Sequence, residues 1–284
     1  MLKTLRCLHE KPLLRRLFLP LLKRFNPGNI QLRHHYTHGT ITLHSYRHKG
    51  YWFHGRTREQ QTMEFFQKVI HPGDCVIEIG GHIGYMSMYF AALVGRNGKV
   101  VVFEPGSNNL PYARENLEQL TQVELIEKAV SNGNGVAQFF EEELTGQNNS
   151  LNADYAVFDQ NCQRAYSNIQ YLQREVETVC LDAFLPSRGL KPKLLKIDIE
   201  GAELLALHGS QNTFLEFHPI VMVEVTSQKL QVFEFFDDLG YQLFSDVGEP
   251  LVTPDQLDFN VCALHPESHG EIISELGWKV SQAA

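Results

Sequence analysis

Between Val76 and Ser87 the chain reads VIEIGGHIGYMS. A short apolar run, a glycine-rich turn and a second apolar run follow one another within twelve residues. The first run, from Cys75, is continuous rather than alternating, as in a strand covered on both faces. Glycines at 80, 81 and 84 let the backbone turn tightly and let another group approach the main chain. The second run, YMSMYFAALV, is long enough for a helix that closes near Gly95. The pattern then repeats: KVVVFEP, NNLPYARENLEQL and VELIEKAVS read as strand, helix and strand. Further on, PKLLKIDIEG is a fourth strand, AELLALHGSQNTF a helix and PIVMVEVT a fifth strand. A helix over 228–239 precedes two last strands, GYQLFSDV and FNVCALH. Strands alternating with helices predict a doubly wound, mostly parallel sheet, here of seven strands. The polar stretch 131–175 reads as a hairpin with a surface loop.

In open α/β sheets the ligand lies beyond the carboxyl ends of the strands, so the glycine turn is a natural floor for one. The dinucleotide fingerprint G-x-G-x-x-G is absent, because position 82 is His, and so is the phosphate loop G-x-x-x-x-G-K-[ST]. A carboxylate, Glu78, precedes Gly80, Gly81 and Gly84. It disfavours a pyrophosphate and suits a cation such as an amino group or a sulfonium. Glu104 ends the second strand, where a carboxylate can accept two hydrogen bonds from a ribose diol. Together these features point to S-adenosylmethionine (SAM). The bland alternative is a plain chain turn flanked by two solvated acids.

Asp198 and Glu200 end the fourth strand. Residues i and i+2 on a strand share a face, so the two carboxylates converge unless the turn at Gly201 redirects them. Asp198 is assigned to the methionine end of SAM or to an acceptor hydroxyl. Glu200 is assigned to acceptor binding or to base work. Glu224 on the fifth strand is a further acceptor-side candidate and His82 a further base. The paired carboxylates could also hold Mg²⁺. Glu203 is explained by its place in a first helical turn. Asn148 and Asn149, in the amide-rich loop TGQNNS, could bind a hydroxylated acceptor or simply turn the chain. Six histidines between 34 and 54 include the i, i+4 pairs His34/His38 and His44/His48. They read as polar loop and strand residues rather than metal ligands, since residues 30–54 read as short strands.

The segments VIEIGGHIGYMS, VVFEP, EKAVS, ETVCLDAFL, LLKIDIEGAELLALHGS and IVMVEV occur in the order found in the FkbM family of SAM-dependent methyltransferases. The chain resembles that family over roughly residues 56–265, most specifically in the run from Lys196 to Glu203. The helix entry GRTREQQTMEFF is similar to the family's lead-in, with Glu59 at its acidic position. The resemblance implies a Rossmann-like class I methyltransferase fold with a small N-terminal extension. It also implies O-methylation of a sugar or another hydroxylated metabolite. Two positions depart from the family's usual turn: Glu78 stands for Asp and His82 for Asn.

The chain of 284 residues carries a formal net charge of −8, the wrong sign for a protein that wraps nucleic acid. Its charge is uneven: residues 1–25 hold seven basic side chains against the single acid Glu10. That segment reads as a basic helix broken at Pro12 and Pro20, with weak attraction to an anionic membrane surface. Five scattered cysteines, none in a C-x-x-C pair, suit free thiols in the cytoplasm. The expected organisation is an extension of basic helix and short strands over 1–55 and a methyltransferase domain over 56–284. A non-catalytic SAM-fold module docking a partner through its basic N-terminus is the rival reading. The sequence leaves the acceptor and the oligomeric state open.

Overall fold

The computed structural model describes residues 24–142, 145–152 and 171–280. Residues 1–23 of the basic segment 1–25 therefore lie outside the described residues, as do Cys7 and Cys162. The chain divides into two units, Met1–Gln60 and Gln61–Ala284.

In the first unit β1 (Asn29–Arg33) pairs antiparallel with β2 (Thr40–His44). Helix α1 (Lys49–His54) and one 3₁₀ turn, Gly55–Thr57, follow. Tyr51–His54 is thus helical, not strand. Its aromatic residues have high β-propensity, but that preference is set by packing context. Three of the six histidines serve the turns. His34 Nδ1 accepts the Tyr36 and Thr37 amides, each at 3.2 Å. His44 Nδ1 accepts those of Tyr46 at 3.2 Å and Arg47 at 3.1 Å, and His48 Nδ1 accepts the His44 amide at 3.0 Å.

The second unit opens on α2 (Gln60–Val69), whose Met63, Phe66 and Val69 are fully buried. The following turn is closed by Asp74, whose Oδ2 accepts the His71 amide at 2.7 Å. Then come β3 (Cys75–Ile79), α3 (Tyr85–Val94), β4 (Lys99–Phe103), α4 (Leu110–Leu117) and β5 (Val123–Ile126). Next are β6 (Ala129–Val130), β7 (Gly135–Glu142), β8 (Tyr171–Val179), α5 (Leu181–Ser187) and β9 (Leu194–Ile197). The chain ends with α6 (Glu203–His208), α7 (Gln211–Phe217), β10 (Ile220–Val225), α8 (Lys229–Asp238), β11 (Gln242–Ser245), β12 (Pro250–Leu251), β13 (Phe259–Leu264) and α9 (Pro266–Leu276).

The main sheet has the order β12-β11-β13-β10-β9-β3-β4-β5. Seven strands are those expected, and the two-residue β12 is added at one edge. The five from β10 to β5 are parallel, while β13 runs antiparallel to both neighbours. From β3 the chain winds outward through β4 and β5, then returns to β9 and β10 on the other side. The switch point lies between β3 and β9. The central strands are buried on both faces, which is why they read as unbroken apolar runs. Phe66 on α2 meets Phe90 on α3 edge to face at 4.8 Å.

Three further segments differ from the expected pattern. VELIEKAVS is two strands in different sheets, because β6 leaves the main sheet and pairs with β8. AELLALHGSQNTF is two helices broken at Gly209, whose Cα faces the Ser131 carbonyl so closely that a Cβ would lie 2.1 Å from it. The segment at 145–150 is no free surface loop, since Asn149 and Ser150 are buried. Helix α9 was not anticipated, although Pro266 at its start and Gly277 (φ +73°) after its end are ordinary helix punctuation. Among the described residues no helix is long and apolar enough to cross a membrane.

Candidate active site

The glycine turn sits at the carboxyl end of β3, beside the switch point. Gly80 has φ +93°, and a Cβ there would lie 1.9 Å from the Asp198 carbonyl oxygen. A Cβ on Gly81 would meet Val102 at 2.2 Å, and one on Gly84 (φ +82°) would meet Leu117 at 3.1 Å. The glycines are thus required by the protein's own packing, whatever else approaches them. Between them His82 adopts φ +49°, a region tolerated by Asn and, less well, by His.

Glu78 is fully buried and accepts the Ser87 hydroxyl at 2.5 Å. Burial pushes its carboxyl up to about 7, against the opposing pull of Lys196 and of the Ser87 hydrogen bond. Glu104 stands just past β4. It accepts the His82 amide at 2.7 Å, the Gly106 amide at 2.7 Å and the Asn109 side chain at 3.2 Å. Burial raises it to about 7 as well, despite those three donors. A carboxylate offers about four acceptor positions, so most of its capacity is already used within the chain.

Across the switch point, β9 ends at Ile197, and Asp198 and Glu200 lie beyond it. Glu200 (φ +56°) and Gly201 (φ +90°) reverse the chain. Strand alternation therefore does not place these two side chains. Their carboxylates converge nonetheless: one oxygen each from Asp198, Glu200 and Glu224 lie within 4.8 Å of one another. Among the described residues this is the one such group of three, and hard oxygen ligands at that spacing could hold a divalent cation such as Mg²⁺. Lys196, 6% exposed, reaches Asp198 Oδ2 at 2.9 Å and sits opposite Glu78 in the β3–β9 register. Burial works against a charge on Asp198, but Lys196 and the hydrogen bonds around it outweigh that and keep it ionised. The Asp198 charge, reinforced by burial, then holds Glu224 protonated. Glu203 is buried and accepts the Gly201 amide at 2.9 Å, so it braces the turn as well as opening α6.

Asn149 faces inward. Its Nδ2 donates to Asn108 Oδ1 at 2.8 Å and its Oδ1 accepts the Glu142 amide at 2.9 Å. Asn148, half-buried, is its neighbour in the same loop. Glu59 lies in the N-terminal unit, ion-paired with Arg58 at 2.9 Å. The sequence reading missed Lys196, Ser87 and Asn109. The first stood two residues before a named acid and carries the opposite charge, and the other two gave no signal.

The model of the Methyltransferase FkbM domain matches residues 78–246, which hold the turn, both strand-end acids and the three-carboxylate cluster. The chain belongs to this family. Its sheet and helices are those of the Rossmann-like class I methyltransferase fold. Among solved structures it is similar to an FkbM methyltransferase from Methylobacillus flagellatus KT, at 15% identity and a TM-score of 0.44 over 71% of this chain and 50% of that one. The chain thus spans about half the length of that relative. A SAM-dependent O-methyltransferase from Thermotoga maritima aligns at 12% identity and a TM-score of 0.41, over 72% of this chain and 64% of the other. Fibrillarin from Aeropyrum pernix, with natively bound SAM, aligns at 9% identity and a TM-score of 0.38, over 69% and 68%. No curated protein matches the chain.

Proposed function

We propose that the chain is a SAM-dependent methyltransferase that methylates a hydroxyl oxygen on a sugar or another small hydroxylated metabolite. The supporting observation is the acidic rim of the sheet. Asp198, Glu200 and Glu224 crowd together, and buried Lys196 pairs with Asp198 and sits opposite Glu78 in the β3–β9 register. This acidic set fits a ligand carrying a sulfonium and an ammonium, as the SAM methionine end does. Glu104 with Asn109 would hold the ribose diol, and Asp198 the amino end. Bound there, SAM supplies an electrophilic methyl group.

The chain's own contribution is largely positioning. Holding an acceptor oxygen in line with the methyl carbon can supply much of the acceleration. Protonated Glu224 can donate a hydrogen bond to a neighbouring hydroxyl of the acceptor, and the Glu200 carboxylate can take the proton that the attacking hydroxyl loses as its bond to the methyl forms and the methyl–sulfur bond breaks. Glu200 lies in the same cluster and is the acceptor-side acid. The family assignment favours hydroxyl acceptors, and the amide and carboxylate lining suits a polyol.

Calorimetry with SAM and with S-adenosylhomocysteine (SAH) tests the cofactor. Binding in the micromolar range that is lost in Glu104→Ala supports the reading, and absence of binding to the intact chain refutes it. Incubation with methyl-labelled SAM and a panel of sugars, with and without Mg²⁺, tests the acceptor. Label transferred only to amines or thiols would refute O-methylation.

A further inference from the structure

Residues 145–152 cross the carboxyl ends of three neighbouring strands. Past β4, Asn109 Nδ2 donates to the Gly146 carbonyl at 2.9 Å, and Asn108 takes the Asn149 side chain at 2.8 Å. Past β3, His82 Nε2 lies 3.3 Å from the Thr145 carbonyl. Past β9, Ser150 Oγ donates to the Glu200 carbonyl at 2.6 Å, and Asn152 Nδ2 to the Gly201 carbonyl at 3.3 Å. One eight-residue strap is therefore tied to both banks of the switch point, above the glycine turn. Paired amide bonds at Phe140 and Ser150 join it to β7.

The strap closes on a corner where the described residues leave one acceptor without a donor. Asn109 is 2% exposed, and its Oδ1 is buried without a hydrogen-bond partner among the described residues. That oxygen presses on Gly146, where a Cβ would lie 2.1 Å from it. Glu104, in the same corner, has most of its acceptor capacity taken by amide donors. A buried acceptor without a donor disfavours the closed arrangement, and a hydroxyl entering the corner would relieve it.

We propose that residues 145–152 are a cofactor gate: the strap lifts from Glu200 and Gly201 to admit the adenosyl group and closes again over the ribose, whose hydroxyl then reaches Asn109 Oδ1. This rests on the SAM reading above. It also ties cofactor entry to the acceptor side, because the latch at Ser150 and Asn152 holds the turn that carries Glu200.

The test is surface plasmon resonance with SAH on the intact chain and on the Ser150→Ala/Asn152→Ala double variant. A gate predicts that association and dissociation rates both rise by roughly fivefold or more once the latch hydrogen bonds are removed. A second measurement needs no variant. In amide hydrogen exchange, the Ser150 amide should be slowed about threefold or more by saturating SAH, as the filled corner holds the strap down. Unchanged rates in a folded variant, or unchanged exchange at Ser150, with SAH bound by the intact chain, overturn the gate alone. No SAH binding by the intact chain overturns the cofactor reading and the gate together.

Discussion

Gly80 offers the sharpest test of how the fold builds the site. Changing it to Ala adds one methyl group at φ +93°, which alone costs about 1–2 kcal/mol for an L side chain. The new Cβ would also lie 1.9 Å from the Asp198 carbonyl oxygen, where real Cβ contacts stay beyond 3.0 Å. The backbone at Asp198 must retreat by roughly 1 Å, and forced overpacking of this kind costs about 1–3 kcal/mol more. The two costs sum to about 2–5 kcal/mol, so at about 2–4 °C per kcal/mol for a unit of this size the melting temperature should fall by roughly 4–20 °C. Gly73→Ala is the control. It has a similar φ of +97° but, among the described residues, nothing within 4 Å of the added methyl, so only the conformational cost applies and the fall should be roughly 2–8 °C. Calorimetric melting of the two variants separates the terms. The retreat also moves the Asp198 carboxylate off Lys196, so SAH affinity measured well below the melting point should drop about tenfold in Gly80→Ala and stay unchanged in Gly73→Ala. Equal melting losses in the two variants would show that contact with Asp198 is not what requires glycine at position 80.

Other perturbations probe the charges. Glu78, raised to about 7 from an ordinary value of 4.5, contributes stability that is complete below pH 4.5 and is lost as pH rises through 7. Glu78→Gln should therefore flatten the stability profile between pH 5 and 8, read by urea unfolding across pH, and an unaltered profile would refute the assignment. His269 has the opposite sign. Burial first, then nearby Lys193 and the His265 and His218 rings, lower it to about 4 from 6.5, so its contribution is complete above pH 6.5 and fades as pH falls toward 4. His269→Gln should remove acid sensitivity of order 1–2 kcal/mol over that window, measured in the same titration. Lys196→Met removes the buried cation and should destabilise by about 3–5 kcal/mol, with part regained in Lys196→Met/Asp198→Asn. Additive losses in that double-mutant cycle would show that the two side chains are not coupled.

What the sequence disclosed and what it hid divide along physical lines. Strands β3, β4, β9 and β10 were legible because burial on both faces writes an unbroken apolar run, and the acids at 78, 104, 198 and 224 stood out as charges at the ends of such runs. Strand β6 was not, because its two apolar residues continue the pattern of β5, and nothing in periodicity records that the chain changes sheets at Glu127-Lys128. Helix α1 was misread because its aromatic run suits a strand equally well until its packing is known.

The strap is the deeper case. An amide-rich loop looks the same in sequence whether water or the protein satisfies its amides. Here, besides the nearby Glu142, the partners include Asn108, Asn109, Glu200 and Gly201, each more than 35 residues away along the chain. The same holds for Glu104, which sequence logic leaves open to a ligand and the fold instead surrounds with three donors. Sequence locates the groups that can do the chemistry, because charge beside an apolar run is conspicuous. It does not record which of those groups the folded chain has already engaged, because hydrogen-bond saturation is a property of contacts between distant segments. A site whose acids are held by its own backbone must exchange those bonds before it can work, and that exchange is the step the strap would control.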